Sequence, residues 1–152
     1  MSEGLLDSLR AHLEELTGLL ALAGDRLERP RAGGSTEGWT ARQVLGHLAD
    51  FELVAAVRVR VVLSLDRPQL PAYGQEEFTD RFCLVETPAE AVERFAVNRR
   101  ATLRVLEALE PADWERVGVH PHRGEESLRR TVEALARHDR AHLQQLREAA
   151  GA

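Results

Sequence analysis

Two histidines near the carboxyl end of the chain lie four residues apart in the segment ARHDRAH. Residues with this spacing share one face of an α-helix, so His138 and His142 can approach the same object. Imidazole is a common ligand of divalent transition metals, although such a pair is also compatible with a surface or structural role. The pair therefore indicates a metal site, provided that another part of the chain supplies a further ligand.

The candidate third ligand is His47, in the segment GHLADFE. It follows the predicted start of a helix at Thr40 by roughly 10 Å along the axis. His142 lies at a similar distance from the predicted end of the last helix, so the three imidazoles reach nearly one level if these helices are antiparallel neighbours. His47 alone would be a buried histidine held by one hydrogen bond. Three imidazoles together favour zinc, nickel or iron over magnesium and calcium, which prefer oxygen ligands.

Acidic residues beside these histidines are candidates for proton transfer. Asp50 follows His47 by three residues on the same helix face, and it is the predicted catalytic residue, as proton acceptor or partner of a ligand. An ion pair with a nearby arginine is the alternative. Asp139 points about 100° away from His138 and is expected to serve structure. HDRAH resembles the zincin motif H-E-x-x-H, but the acid is shorter and no third histidine follows, so a zincin protease is not expected.

The remaining histidines and the tryptophans have weaker claims to the site. His12 is on the core side of the first helix, but roughly 22 Å from the end that adjoins the second helix, so it is predicted to be a boundary residue. His120 and His122, in VHPHRG, are candidates for the substrate side of the site. Trp39 and Trp114 adjoin helix starts and are expected to be hydrophobic plugs at the ends of the bundle.

Apolar residues spaced by three and four predict four amphipathic helices. They cover residues 3–27, 40–65, 87–109 and 127–149. Thr40, Thr87 and Ser127 can cap the first turns, and Pro88 is typical of a first helical position. The segment EPADWERVGVHPHRGEE, between the third and fourth helices, is predicted to form one turn of helix and a loop.

The connection between the second and third helices, residues 66–86, is unusually long for a compact domain, and such loops are often functional. At roughly 3.3 Å per residue it can recross the bundle and let the two helices lie parallel. The sequence therefore predicts an all-α four-helix bundle with up-down-down-up order and a long crossover. Tyr73, Phe78 and Phe82 are its expected packing anchors, and the crossover is expected to wall the metal pocket.

Length and composition fit a single domain over residues 1–152. The formal charge of -5 is spread along the chain, lysine is absent, and no basic cluster suggests binding to nucleic acid. Charged and apolar residues alternate near the start, so neither a signal peptide nor a membrane span is expected, and a cytoplasmic location is predicted. Cys83, the single cysteine, is expected to be a packing residue.

The second half of the second helix carries more apolar residues than one bundle face requires. They include Val54, Val57, Val59, Val61 and Val62. A second subunit that covers this strip would make the protein a homodimer, which is the prediction, whereas the crossover could cover the strip instead.

Several segments resemble the DinB superfamily, damage-inducible-type four-helix bundles that include metal-dependent hydrolases and thiol transferases. They are GWTARQVLGHLAD at residues 38–50, PADW and HPHRGEESL before the last helix, and HDRAHLQQL at residues 138–146. The resemblance extends over almost the whole chain. It implies that His47, His138 and His142 bind a divalent metal, and it also points to a homodimer.

The site residues and the resemblance together imply a divalent-metal-dependent enzyme that acts on a small molecule. Three protein ligands leave coordination positions open, where a water or a thiol could be activated. The implied reaction is either hydrolysis or transfer of a low-molecular-weight thiol such as bacillithiol or mycothiol. The alternative is a metal-binding or stress-related bundle without catalysis.

Overall fold

The computed structural model describes residues 2–28 and 38–151. Within them lie α1 (Ser2–Ala23), α2 (Ala41–Ser64), α3 (Gln75–Phe82), α4 (Pro88–Glu107), β1 (Val117–His120), β2 (Gly124–Ser127) and α5 (Leu128–Ala150), with 3₁₀ turns at Gly24–Glu28 and Asp113–Glu115. The predicted four-helix bundle is confirmed, and α1, α2, α4 and α5 are its long helices. In the described part of the chain, no helix is both long and apolar enough to cross a bilayer.

Local sequence signals explain where the long helices begin. The side chains of Thr40 and Thr87 accept hydrogen bonds from the backbone N–H groups of Gln43 and Glu90, whose own side chains accept from the backbone of the capping threonine. These are capping boxes, which satisfy amide groups that have no partner within the helix. Ser127 caps α5 through its hydroxyl oxygen. The predicted starts of the last three long helices are confirmed.

The four long helices are arranged so that α1 and α2 each contact both α4 and α5. Asp50 and Glu52 of α2 bind Arg94 and Arg99 of α4 in the same order along the chain, so these helices run parallel. This is the arrangement that a long crossover permits, because a short loop would make consecutive helices antiparallel.

The other pairings complete the up-down-down-up order. His47 contacts His142, whereas Arg58, farther along α2, lines a cavity together with Thr131 near the start of α5, so α2 and α5 run antiparallel. His12 of α1 pairs with Asp139 of α5, and Glu15 of α1 pairs with Arg147 of α5. The pairs follow the same order in both helices, so α1 and α5 run parallel. The predicted topology is therefore confirmed.

The crossover contains a helix that the sequence analysis described only as an irregular connection. This helix, α3, packs against α2, and Phe78 and Phe82 meet edge to face with centroids 5.6 Å apart. A segment of eight residues is too short to be a stable helix alone, so its conformation depends on the surface that α2 provides. Tyr73 packs on Phe78, and Cys83 is a buried free thiol as expected.

The segment before α5 forms a β-hairpin, so the prediction of a loop there is wrong. β1 and β2 pair antiparallel, with His120 opposite Gly124. The crossover extends this hairpin, since the N–H of Leu70 donates to the carbonyl of Val119 at 2.9 Å and the N–H of Val119 donates to the carbonyl of Pro68 at 2.8 Å. A strand that depends on pairing with a distant segment carries little local signal.

A layer of buried polar side chains divides the apolar core along the bundle axis. One apolar cluster includes Leu16, Leu45, Phe95 and Leu146, and the other includes Leu9, Val59, Leu106 and Leu128. Between them lie His12, Glu52, Arg99 and Asp139, all buried. Charged groups at such depth are stable only with close partners, so this layer requires a particular pairing of all four helices.

Candidate metal centre

Facing surfaces of α2 and α5 bring three imidazoles together. Nε2 of His47 lies 2.7 Å from Nε2 of His138 and 3.1 Å from Nε2 of His142. One ring nitrogen from each residue lies within 4.8 Å of the other two, a grouping that could hold a metal ion. The structure thus brings together the three histidines that the sequence predicted to lie at one level, because α2 and α5 are antiparallel neighbours.

Hydrogen bonds on the outer nitrogens orient two of the three rings. Nδ1–H of His142 donates to Oε1 of Gln145 at 2.8 Å, and an amide oxygen only accepts, so Nε2 of His142 directs a lone pair toward the centre. Nδ1 of His47 lies 2.8 Å from the phenol oxygen of Tyr73. When Nδ1–H donates to this oxygen, Nε2 of His47 also presents a lone pair.

Aromatic rings enclose the imidazoles. Phe51 stacks on His138 with ring centroids 3.9 Å apart. Trp39 lies 5.0 Å from the ring of His47 and 6.3 Å from that of His142, so it covers the site. The outer Nδ1 of His138 is buried and has no hydrogen-bond partner among the described residues, and stacking is therefore what orients this ring.

Burial keeps the imidazoles neutral. Burial first, and then the neighbouring imidazoles, lower the pKa of His47 to about 3 and that of His138 to about 2. Burial also lowers the pKa of His142. Neutral imidazole is the form that ligates a metal. Three nitrogen lone pairs at these distances repel one another unless a cation or a proton lies between them, so the donor set fits zinc, nickel or ferrous iron better than magnesium or calcium.

A cavity of about 180 Å³ opens beside His138. Its lining comes from α2, α5, the crossover and the hairpin: Phe51, Arg58, Tyr73, Gln75, His120, Pro121, His122 and His138. A second cavity of about 160 Å³ shares Phe51, Arg58, His120 and His138 and extends along α5. His120 and His122, the candidates for the substrate side, therefore lie across a cavity from the three-histidine centre.

The family model of the DinB superfamily matches residues 5–146. The chain belongs to the DinB superfamily. A solved structure with the same fold is YfiT from Bacillus subtilis, with a TM-score of 0.87 over 99% of this chain and 86% of that one, at 19% identity. YfiT is described as "a probable metal-dependent hydrolase with an unusual four-helix bundle topology". At this identity the likeness to YfiT shows the fold.

Two bacterial relatives are similar in sequence to this chain. A protein from Oceanobacillus iheyensis is 30% identical over 109 residues, which span 70% of this chain and 62% of the relative. A protein from Bacillus mycoides is 29% identical in an alignment that covers 97% of this chain and 88% of the relative. Both carry the name "Putative metal-dependent hydrolase".

In this DinB-superfamily chain Asp50 forms an ion pair with an arginine, which is the alternative considered from the sequence. Its carboxylate accepts a hydrogen bond from Arg94 at 2.8 Å, and Arg94 also pairs with Glu86. Burial raises the pKa of Asp50, and the nearby Arg94 opposes this effect. The carboxylate still acts on the site at a distance, because burial first, and then the charge of Asp50, raise the pKa of Tyr73. A catalytic role for Asp50 stays a prediction.

The buried polar layer adjoins the metal centre through Asp139, the neighbour of His138 in the chain. Arg99 binds Glu52 at 2.7 and 2.9 Å and Asp139 at 2.9 and 3.1 Å, and His12 contacts Asp139 at 3.0 Å. The prediction of His12 as a boundary residue is wrong. The ring of His12 is buried because it pairs with Asp139 inside this layer.

Three residues of the site were not predicted from the sequence, or were predicted to have another role. Gln145 follows His142 by three residues, a spacing that places both on one helix face and could have identified it. Arg58 follows His47 by eleven residues, or three helical turns, and therefore shares its face. Tyr73 was expected only as a packing anchor, because the path of the crossover could not be read from local sequence.

Proposed function

We propose that this protein is a divalent-metal-dependent enzyme that acts on a small molecule, as a hydrolase or as a thiol S-transferase. The observation that carries the proposal is the convergence of three neutral imidazoles, 2.7 and 3.1 Å apart, beside a cavity of about 180 Å³. The names of the relatives support metal-dependent hydrolysis. The thiol alternative rests on the family resemblance and on the affinity of such metals for sulfur.

His47, His138 and His142 would hold zinc, nickel or ferrous iron through their Nε2 atoms. When bound with open coordination positions, such an ion acts as a Lewis acid and acidifies a coordinated water or thiol. Gln145 and Tyr73 would keep two of the imidazoles in the required tautomer and orientation. The aromatic walls would exclude bulk water, which strengthens electrostatic interactions at the centre.

Tyr73 and His122 can supply proton transfer within the cavity. When Nδ1–H of His47 donates to Tyr73, the Tyr73 hydroxyl is free to donate to an oxygen of the substrate, and it keeps its proton because burial raises its pKa. His122 is exposed at the cavity, where its ring can reach both solvent and a bound molecule. Asp50 would assist through its charge on Tyr73, in keeping with its predicted catalytic role.

We also infer a homodimer in the cytoplasm. Leu53 and Val57 on α2 are 44% and 42% exposed, and Val97 on the adjacent α4 is 57% exposed. The crossover therefore leaves part of the predicted apolar strip uncovered, which supports contact with a second subunit. No membrane or nucleic-acid partner is proposed.

Elemental analysis followed by activity assays tests the proposed function. The wild type should contain close to one metal ion per chain, and His47→Ala, His138→Ala and His142→Ala should contain little, with His122→Ala as the control. The loaded protein is then assayed with activated esters and amides, and with thiols paired with electrophiles, and the products are identified by mass spectrometry. Free acids would identify a hydrolase and thioethers a transferase. Tight metal binding without turnover would favour the non-catalytic module and overturn the enzyme proposal.

A further inference from the structure

Arg58 is a buried cation without an acidic partner among the described residues. It is 5% exposed, and its Nε and Nη2 atoms both donate to the carbonyl of Pro71, at 3.2 and 2.7 Å. Nη1 makes no hydrogen bond within the part of the chain that the structure describes. A buried charge that lacks a counter-ion is costly, and burial accordingly lowers the pKa of Arg58. Arg58 lines both cavities beside the metal centre, so an anion could reach it there.

His120 presents a second free donor to the same cavities. Its Nδ1 accepts hydrogen bonds from the backbone N–H groups of His122 and Arg123, each at 3.1 Å. A neutral imidazole whose Nδ1 accepts must carry its proton on Nε2. Burial and the nearby arginines lower the pKa of His120, so the ring stays neutral. The turn of the hairpin therefore fixes an Nε2–H donor that has no partner among the described residues.

The charges around these donors limit the kind of anion that fits. Arg123 is neutralised by Glu126, with two contacts of 2.9 Å, and Glu126 also accepts a hydrogen bond from Thr131 at 3.0 Å. Arg58, Arg123 and Glu126 together therefore carry one net positive charge, and Glu126 also attracts Arg58. A monoanion matches this net charge, whereas a phosphate dianion would leave excess negative charge in a buried space. A planar carboxylate has one oxygen for Nη1 of Arg58 and another for Nε2 of His120.

We propose that Arg58 and His120 form a subsite for the carboxylate of the substrate, between α2 and the hairpin. His138 belongs to the walls of the same cavities, so a molecule held there by its carboxylate extends toward the three-histidine centre. The placement of its reacting group rests on the proposed function, whereas the binding of the carboxylate does not.

Paired thiol probes test the subsite in the metal-loaded protein. Mercaptopropionate and its neutral amide, mercaptopropionamide, offer the same sulfur, and only the first offers a carboxylate. The acid should bind at least about tenfold more tightly than the amide, because a charge-assisted hydrogen bond in a buried site contributes that much. Arg58→Gln and His120→Ala should remove most of this preference, and Arg58→Lys should retain part of it. Arg60→Gln, on the same helix but bound to Ala56 and Thr102, is the matched control and should keep it.

A second titration separates this inference from the proposed function. The metal-free protein is titrated with propionate, propionamide and inorganic phosphate, and the imidazole signals of His120 are followed by NMR. Propionate should bind more tightly than the other two in the wild type and in Arg60→Gln, and should lose its advantage in Arg58→Gln. That result would support the subsite even if metal binding or turnover failed. Equal binding of propionate and propionamide, tighter binding of phosphate, or an unchanged preference in a folded Arg58→Gln protein would overturn it.

Discussion

The three imidazoles of the candidate centre differ in what fixes their orientation. His142 is held by a hydrogen bond to Gln145 and His47 by one to Tyr73, whereas His138 has only the stacking of Phe51. A ligand that is already oriented loses less conformational entropy when the metal binds. The outer partners of His47 and His142 therefore contribute to affinity although they do not touch the ion.

Gln145→Leu should lower metal affinity about 10- to 100-fold, the usual cost of losing an outer partner of a ligating histidine. The three imidazoles remain, so the site should still load at high metal concentration. Competition with a chromogenic chelator measures the affinity. Gln144→Leu is the control, because Gln144 is exposed and its one side-chain hydrogen bond among the described residues is to Glu148. Equal affinities of the two variants would show that Gln145 does not set the tautomer of His142.

The stability of the metal-free protein should fall as the pH drops below about 6.5. The unfolded chain binds a proton at His47 with a pKa near 6.5, whereas the folded protein does so only near 3, so the unfolded state gains protons first between these values. Thermal unfolding at several pH values in a chelating buffer measures the effect. His47→Gln should flatten this dependence, and His122→Gln should not. Identical slopes in all three proteins would contradict the argument.

At the scale of elements, the long helices follow from the sequence and the short ones do not. The helix starts are predicted by the capping residues Thr40, Thr87 and Ser127. The positions of the three histidines indicate a shared site once α2 and α5 are taken as antiparallel. Residues 66–86 and the hairpin carry no comparable signal, because α3 needs the surface of α2 and β1 needs the backbone of the crossover. The grouping of the three imidazoles was therefore predictable, whereas most of the cavity wall opposite them was not.

Gly118 shows how closely the hairpin fits this surface. A Cβ added there would lie 2.8 Å from Val62 Cγ2 and 2.9 Å from Leu70 Cδ2, so Gly118→Ala should lower the free energy of unfolding by about 1–3 kcal/mol. Urea denaturation measures the change. Gly18→Ala is the control, because Gly18 is in an exposed part of α1 with open space around it. This substitution should raise the free energy of unfolding by up to about 1 kcal/mol. Equal effects would mean that the hairpin is free to move.

At the scale of the whole molecule, the buried polar layer selects how the helices pair. Arg99→Met would leave Glu52 and Asp139 buried without their counter-ion, so it should lower the free energy of unfolding by about 3–5 kcal/mol. Arg100→Met, the exposed neighbour, should change it by less than about 0.5 kcal/mol. Chemical denaturation of both variants, monitored by circular dichroism, provides the comparison. A small effect of Arg99→Met would mean that the layer does not depend on this ion network.

The exposed apolar strip predicts the assembly state. The wild type should sediment as a dimer at micromolar concentration, and Val57→Glu should sediment as a monomer, because a carboxylate in a closed apolar interface loses its hydration. Metal content should stay unchanged, since Val57 does not line the site. Arg104→Glu, an exposed substitution on α4, controls for the change of charge. A monomeric wild type would remove the dimer proposal.

The position of α5 beside α2 also determines when the centre can form during synthesis. His47 and His138 are separated by 91 residues of sequence, although their nitrogens are 2.7 Å apart. At about 5–20 residues per second, a ribosome needs roughly 5–20 s to make the intervening chain. A nascent chain that ends before α5 therefore presents one of the three imidazoles. The proposed metal site can therefore be completed only after α5 has been synthesised and has left the ribosome.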